Sequence, residues 1–83
     1  MAKHSEHIQT QLDAVSRKIK ALRKEKGFKN YEFFAYEHEI SRSQYWRYEN
    51  GEDMRLSTLL KLLEIHGLTL QEFCNEGFLK KEV

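Results

Sequence analysis

Apolar residues at Ile8, Leu12, Val15, Ile19 and Leu22 recur at alternating steps of four and three. That spacing keeps one face of an α-helix apolar and predicts a helix over 8–26. Gly27 ends it, because glycine takes the left-handed turn after a helix without strain, and Lys24 and Lys26 lie at its negative end. Phe28 and Lys29 form a connection, and Asn30 is an N-cap residue type for a second helix over 31–38. Phe34, Ala35 and His38 share its inner line, with Ala35 permitting close approach of another helix, while Tyr31, Phe33 and Tyr36 are left partly outside. Glu39 and Ile40 make the turn into a third helix, capped by Ser41 and closed by Gly51. A loop over 52–55 leads to a fourth helix over 56–66, closed by Gly67. Its residues Leu56, Leu59, Leu60, Leu62, Leu63 and Ile65 form the expected centre of the core. Thr69 and Glu72 have the spacing of a capping box, so a fifth helix starts at Leu70, buries Leu70, Phe73 and Cys74, and ends near Gly77. Phe78 and Leu79 then fold back.

The fold class predicted is all-α: a compact five-helix bundle with an extended first helix. The expected organisation is a flexible N-terminus over 1–7, one domain over 8–79 and a solvated tail over 80–83. A helix over 8–26 is about 28 Å long at 1.5 Å per residue, more than a core of this size needs. Its first two turns, with Ile8, Leu12 and Val15, are therefore expected to project and to face either the C-terminal helix or a second copy. Intrachain packing is the preferred reading.

The stretch EISRSQYWRYENG, residues 39–51, carries the chemistry. Turning 100° per residue from Ser41 puts Tyr45, Tyr48 and Glu49 on one side. Ser43, Trp46, Arg47 and Asn50 lie opposite, with Arg42 and Gln44 on the flanks. A short helix with an apolar inner side and arginines, an amide and a hydroxyl outside suits a DNA major groove. An ordinary amphipathic helix with a solvated face has the same pattern, and this segment by itself does not separate the two.

Charge changes the picture only locally. The 83 residues are one third charged with a formal net charge of +1, so bulk charge does not point to nucleic acid. The stretch 17–29, however, gathers Arg17, Lys18, Lys20, Arg23, Lys24, Lys26 and Lys29 against Glu25 alone, and the local field governs what binds there. The single Cys74 rules out an internal disulfide and a cysteine-cluster zinc site, and fits a reducing compartment. His4 and His7 are three apart, but two ligands do not make a stable metal site. No cofactor is expected. No apolar run approaches the roughly 20 residues needed to span a bilayer, and the N-terminus lacks the apolar core of a secretion signal. A cytoplasmic location follows, with no membrane partner. No serine, histidine or acid is arranged as a nucleophile with its base, and there is no glycine-rich phosphate loop, so an enzyme is not expected.

Three segments together, IKALRKEKG, FAYEHEISRSQYWRYENG and LSTLLKLLEIHGLTLQEF, resemble the helix-turn-helix family of phage repressor and Cro proteins, the Xre-like regulators. The residues carrying the resemblance are Arg23, Gly27, Ala35, Ile40 with Ser41, and Glu49 with Gly51. It covers roughly two thirds of the chain, from Ile19 to Phe73. The resemblance implies five helices, the second and third forming the motif, and a largely buried ion pair between Arg23 and Glu49. Arg42, Ser43, Gln44 and Arg47 match positions that meet base edges. Asn30, Tyr31 and Asn50 match positions that hold phosphates, assisted by Lys26 and Lys29, while Trp46 suits equally a wedge against sugar and thymine methyl groups and a protein interface. The chain departs from the family pattern at Glu39, where glycine is usual, at Tyr31, where glutamine is usual, at Trp46, where a small residue is common, and at Glu52 and Asp53, where basic residues would help.

The function expected is sequence-specific binding of double-stranded DNA by a transcriptional regulator, a repressor acting as a homodimer on a palindromic site. Two rivals stand beside it. One is an antitoxin whose N-terminal helix or tail grips a protein toxin. The other is an adaptor that binds only protein, through Trp46, Tyr36 and Phe33.

Overall fold

Ser5 decides where helix formation begins. Its Oγ accepts the Ile8 amide at 3.1 Å, satisfying one of the orphan donors of a first turn, so α1 runs Glu6–Glu25 in the computed structural model. The start is earlier than the apolar periodicity suggests, because the cap lies one turn ahead of the first apolar contact. The structure describes residues 4–75. The expectations for 1–3, the stop at Gly77, the fold-back of Phe78 and Leu79 and the tail over 80–83 lie outside the described residues.

Among the described residues there are five helices and no strand, and the chain is all-α. After α1 come α2 (Tyr31–Glu37), α3 (Arg42–Tyr48), α4 (Leu56–Ile65) and α5 (Leu70–Cys74). Among these helices none is long and apolar enough to cross a membrane. The chain divides into two units, Met1–Asp53 and Met54–Val83.

In the first unit, α1 closes with Gly27 at φ 100°, its amide donating to Lys24 O at 2.9 Å and the Phe28 amide to Arg23 O at 3.2 Å. This is the Schellman closure, in which two otherwise unpaired helix carbonyls are satisfied. Asn30 caps α2 by accepting from the Phe33 amide at 2.8 Å, and Ser41 caps α3 by accepting from the Gln44 amide. Ile19, Leu22, Phe34, Ala35 and Tyr45 are buried. Around Phe34 the rings gather: Phe28 at 5.3 Å edge-on, His38 at 4.4 Å and Tyr45 at 5.0 Å between centroids. Such ring pairs contribute about 0.5–1.5 kcal/mol each beyond the area they bury. His38 is half-buried and packed within this cluster.

In the second unit, Leu59, Leu62 and Leu63 are buried at the three-and-four spacing of one helix face. Leu60 is exposed off that face, and Leu56 is exposed at the first position of the helix, so the buried stripe is shorter and narrower than the run of leucines suggests. Thr69 and Glu72 form the reciprocal capping box. Of the α5 residues only Phe73 is buried. Leu70 and Cys74 are exposed, contrary to expectation, because a helix of five residues makes little more than one turn and turns one ring inward.

Candidate nucleic-acid interface

Glu39 bends the chain between α2 and α3 by adopting φ 57°, the left-handed region where glycine is usual. The Ile40 amide donates to Ala35 O at 2.8 Å and the Glu39 amide to Tyr36 O at 3.2 Å, so α2 closes as α1 does. A side chain in this conformation costs about 1 kcal/mol, sustained here by the packing on both sides of the turn.

Tyr45 is fully buried, while Arg42, Ser43, Gln44, Trp46 and Arg47 on the same helix are exposed. Tyr48 and Glu49 are partly covered. The outer side therefore carries two guanidiniums, a hydroxyl, an amide and an indole. The Arg42 side chain is 71% exposed and reaches Glu32 Oε2 on α2 at 3.5 Å, a loose surface pair that holds the guanidinium without burying it. α3 stops at Tyr48 with Glu49 as its cap, two residues short of the expected 50. The chain tightens there through the Asn50 amide donating to Arg47 O at 3.0 Å. Asn50 thus lies in the turn, where its side-chain Nδ2 donates to Trp46 O at 2.7 Å.

Arg23 and Glu49 meet through Nε to Oε2 at 2.7 Å and Nη2 to Oε1 at 2.9 Å, and Nη1 donates to Phe28 O at 2.9 Å. The hydrogen bond to Glu49 raises the Arg23 pKa above its ordinary value, against the opposing effect of burial. Beside them, burial first and the Glu49 carboxylate second push the Tyr45 phenol far up from its ordinary 10.0. The Tyr45 hydroxyl nevertheless makes no hydrogen bond among the described residues.

Two α1 side chains that the periodicity did not single out, Ser16 and Gln9, grip the turn after α3, and a third, Asp13, holds Gln9. Buried Ser16 donates through Oγ to Tyr48 O at 2.8 Å and accepts from the Gly51 amide at 2.8 Å. Gln9 Nε2 donates to Gly51 O at 2.9 Å and to Asp13 Oδ1 at 3.0 Å. The early turns of α1 thus lie against the end of α3 and do not simply project. Gly51 has φ 85°, and a Cβ there would come within 2.5 Å of Asp13 Oδ1. In the sequence these residues are one serine, one glutamine and one aspartate among many. Only their shared spacing on the α1 face, four and three apart, hints at a common partner.

The other residues expected at a nucleic-acid surface fall into two places. Lys26, Lys29 and Asn30 are exposed in the link between α1 and α2, with Tyr31 half-buried at the first position of α2. Trp46, 45% exposed, and Asn50 lie on and just past α3. Glu52 and Asp53 are exposed beyond the turn, and Asp53 approaches His4 Nε2 at 3.6 Å. On α2, Phe33 and Tyr36 stand out at 66% and 82% exposed.

Across residues 19–73, about two thirds of the chain, the sequence matches a family model described as helix-turn-helix. Neither the curated proteins nor the solved structures gave a match. The matched span opens at buried Ile19 on α1, takes in the capped α2–turn–α3 unit and ends at buried Phe73. The chain belongs to the Xre-like helix-turn-helix family of DNA-binding regulators.

Proposed function

We propose that the chain is a sequence-specific regulator of transcription that reads the major groove of double-stranded DNA with α3 and represses as a homodimer on a palindromic site, in the cytoplasm. The observation that carries this reading is the division of α3: Tyr45 is buried while Ser43 and Arg47 opposite it, and Arg42 and Gln44 on the flanks, stand in solvent. Arginine grips guanine O6 and N7 through two parallel hydrogen bonds, and glutamine pairs similarly with adenine, each worth about 1–3 kcal/mol of discrimination. Arg42 and Arg47 are assigned to guanine, Gln44 to adenine and Ser43 to either base.

Lys26, Lys29, Asn30, Tyr31, Trp46 and Asn50 are assigned to the DNA backbone, fixing register without reading sequence. The two asparagines support that role by what their caps leave over. Asn30 Oδ1 is occupied by the Phe33 amide, so its free end is a donor. Asn50 Nδ2 spends one hydrogen on Trp46 O and keeps the other. Donors are what a phosphate needs. Two copies would present α3 to half-sites about 34 Å apart.

The test is an electrophoretic shift at low salt with random duplex and with sites selected from a random pool, using the protein and its Arg42→Ala/Arg47→Ala variant. Selected sites should be palindromic, and the double variant should lose preference for them. Shifts unchanged by the double substitution would remove α3 from the reading. A second reading, an adaptor that binds only protein, is favoured by the exposed Phe33, Tyr36 and Trp46. It predicts no DNA shift even at low salt.

A further inference from the structure

Three helix ends in this chain carry the same closure, and a fourth is altered. At the ends of α1, α2 and α4, an amide three residues on bonds directly to a helix carbonyl: Gly27 to Lys24 at 2.9 Å, Glu39 to Tyr36 at 3.2 Å and Gly67 to Glu64 at 3.0 Å. A second bond spans five residues in each, Phe28 to Arg23, Ile40 to Ala35 and Leu68 to Leu63. After α3 the five-residue bond is present, from the Glu52 amide to Arg47 O at 3.2 Å. The three-residue pair is Gly51 N–H and Tyr48 O, and the Ser16 hydroxyl stands between them, accepting from one and donating to the other at 2.8 Å.

We propose that Ser16 is a positioning residue for base reading, one that locks the orientation of α3 on α1; the proposal rests on the DNA-reading role given to α3 above. The Arg23–Glu49 pair fixes one point of the α3 end. Ser16 lies two turns earlier on α1, about 10 Å along its axis, and fixes a second. Gln9 holds the turn at Gly51 O, but Ser16 bonds to the last carbonyl of α3 itself, and where one anchor on the helix leaves a pivot, a second removes it. From the anchored end to Arg42, α3 extends about 10 Å, so a tilt of about 10° displaces Arg42 by about 2 Å. Binding constellations tolerate about 0.5 Å. Loss of the Ser16 hydroxyl therefore degrades discrimination between bases while leaving in place the phosphate contacts of Lys26, Lys29, Asn30 and Tyr31, which lie off α3 and carry the non-specific affinity.

The full chain is compared with Ser16→Ala, and with Ser16→Cys under reducing conditions should the alanine variant fail to fold. Residual dipolar couplings read the orientation of α3 against α1, and hydrogen exchange reads the Gly51 amide. The expected result is unchanged couplings within α1 and α2, reduced or reoriented couplings in α3, and faster exchange at Gly51. On DNA, the ratio of selected-site to random-duplex affinity should fall about tenfold, with the salt slope unchanged. Unchanged α3 couplings, or an equal loss of affinity for both DNAs, would overturn the proposal. If the unsubstituted protein does not distinguish sequences, base reading by α3 fails, and the couplings alone then decide whether Ser16 orients the helix.

Discussion

Arg23 and Glu49 face one another as a two-pronged pair, both side chains 4% exposed, joining α1 to the cap of α3. The third prong of the guanidinium goes to Phe28 O, so three of its five donors are used and little charge is left unmatched. Removing either partner strands the other charge in the interior. Arg23→Ala or Glu49→Ala should each cost about 3–5 kcal/mol in urea unfolding, whereas Arg23→Met with Glu49→Leu should cost less than either. A double substitution as costly as the two singles added together would contradict this account.

Tyr45 gives a pH dependence with a definite sign. Its phenol is pushed up from 10.0 in the folded chain, by burial and then by the Glu49 carboxylate, while in the unfolded chain it ionises normally. Below pH 10 both states hold the proton and nothing changes. Above it the unfolded state sheds the proton and the folded state does not, so stability falls by about 1.4 kcal/mol per pH unit from this group alone. Tyr45→Phe should abolish that share of the alkaline loss. At pH 7 it should be neutral or slightly stabilising, since the hydroxyl it deletes is buried without a partner. Thermal melts at pH 7 and 11 give both readouts.

Glu39 occupies a left-handed position at φ 57°. Glu39→Gly relieves about 1 kcal/mol of backbone strain but adds freedom to the unfolded chain. The net change in stability should thus stay within about 1 kcal/mol of zero on the favourable side. By removing a negative charge beside α3 it should also strengthen DNA binding at low salt, and this gain should shrink as salt is raised. A gain that persists at high salt would point away from charge.

Arg47 and Lys29 are assigned different tasks, and their alanine variants should separate. Arg47→Ala should cost about 1–3 kcal/mol on a selected site and relax the preference at one base pair. Lys29→Ala should weaken binding to all duplexes alike and lower the salt slope by about 1. Titrations at several salt concentrations distinguish the two patterns, and identical behaviour would erase the division between base and backbone contacts.

The starts of α2, α3 and α5 were legible because their caps are local chemistry. Asn30, Ser41 and Thr69 each satisfy an amide three residues ahead, a relation written in adjacent sequence. The inner side of α3 was legible from angular spacing, and the Arg23–Glu49 pairing came from family resemblance. Ser16 was not legible, because a serine within a helix is neutral by pattern and its partners are backbone groups more than thirty residues away. The exposure of Leu70 and Cys74 was missed for a related reason: apolar spacing marks a face, while the length of the helix sets how much of that face is covered.

α2 and α3 have seven residues each. Helices shorter than about 12–15 residues are marginal in water, because one costly nucleus is repaid by too few propagating bonds. Neither segment has an independent existence as a helix. α3 is held by the long neighbour that carries Ser16 and Arg23, and α2 packs on α3, so excised as a peptide the pair should be coil. A ligand gripping the motif must therefore feel the rigidity of α1, and whatever loosens that helix loosens α3 with it.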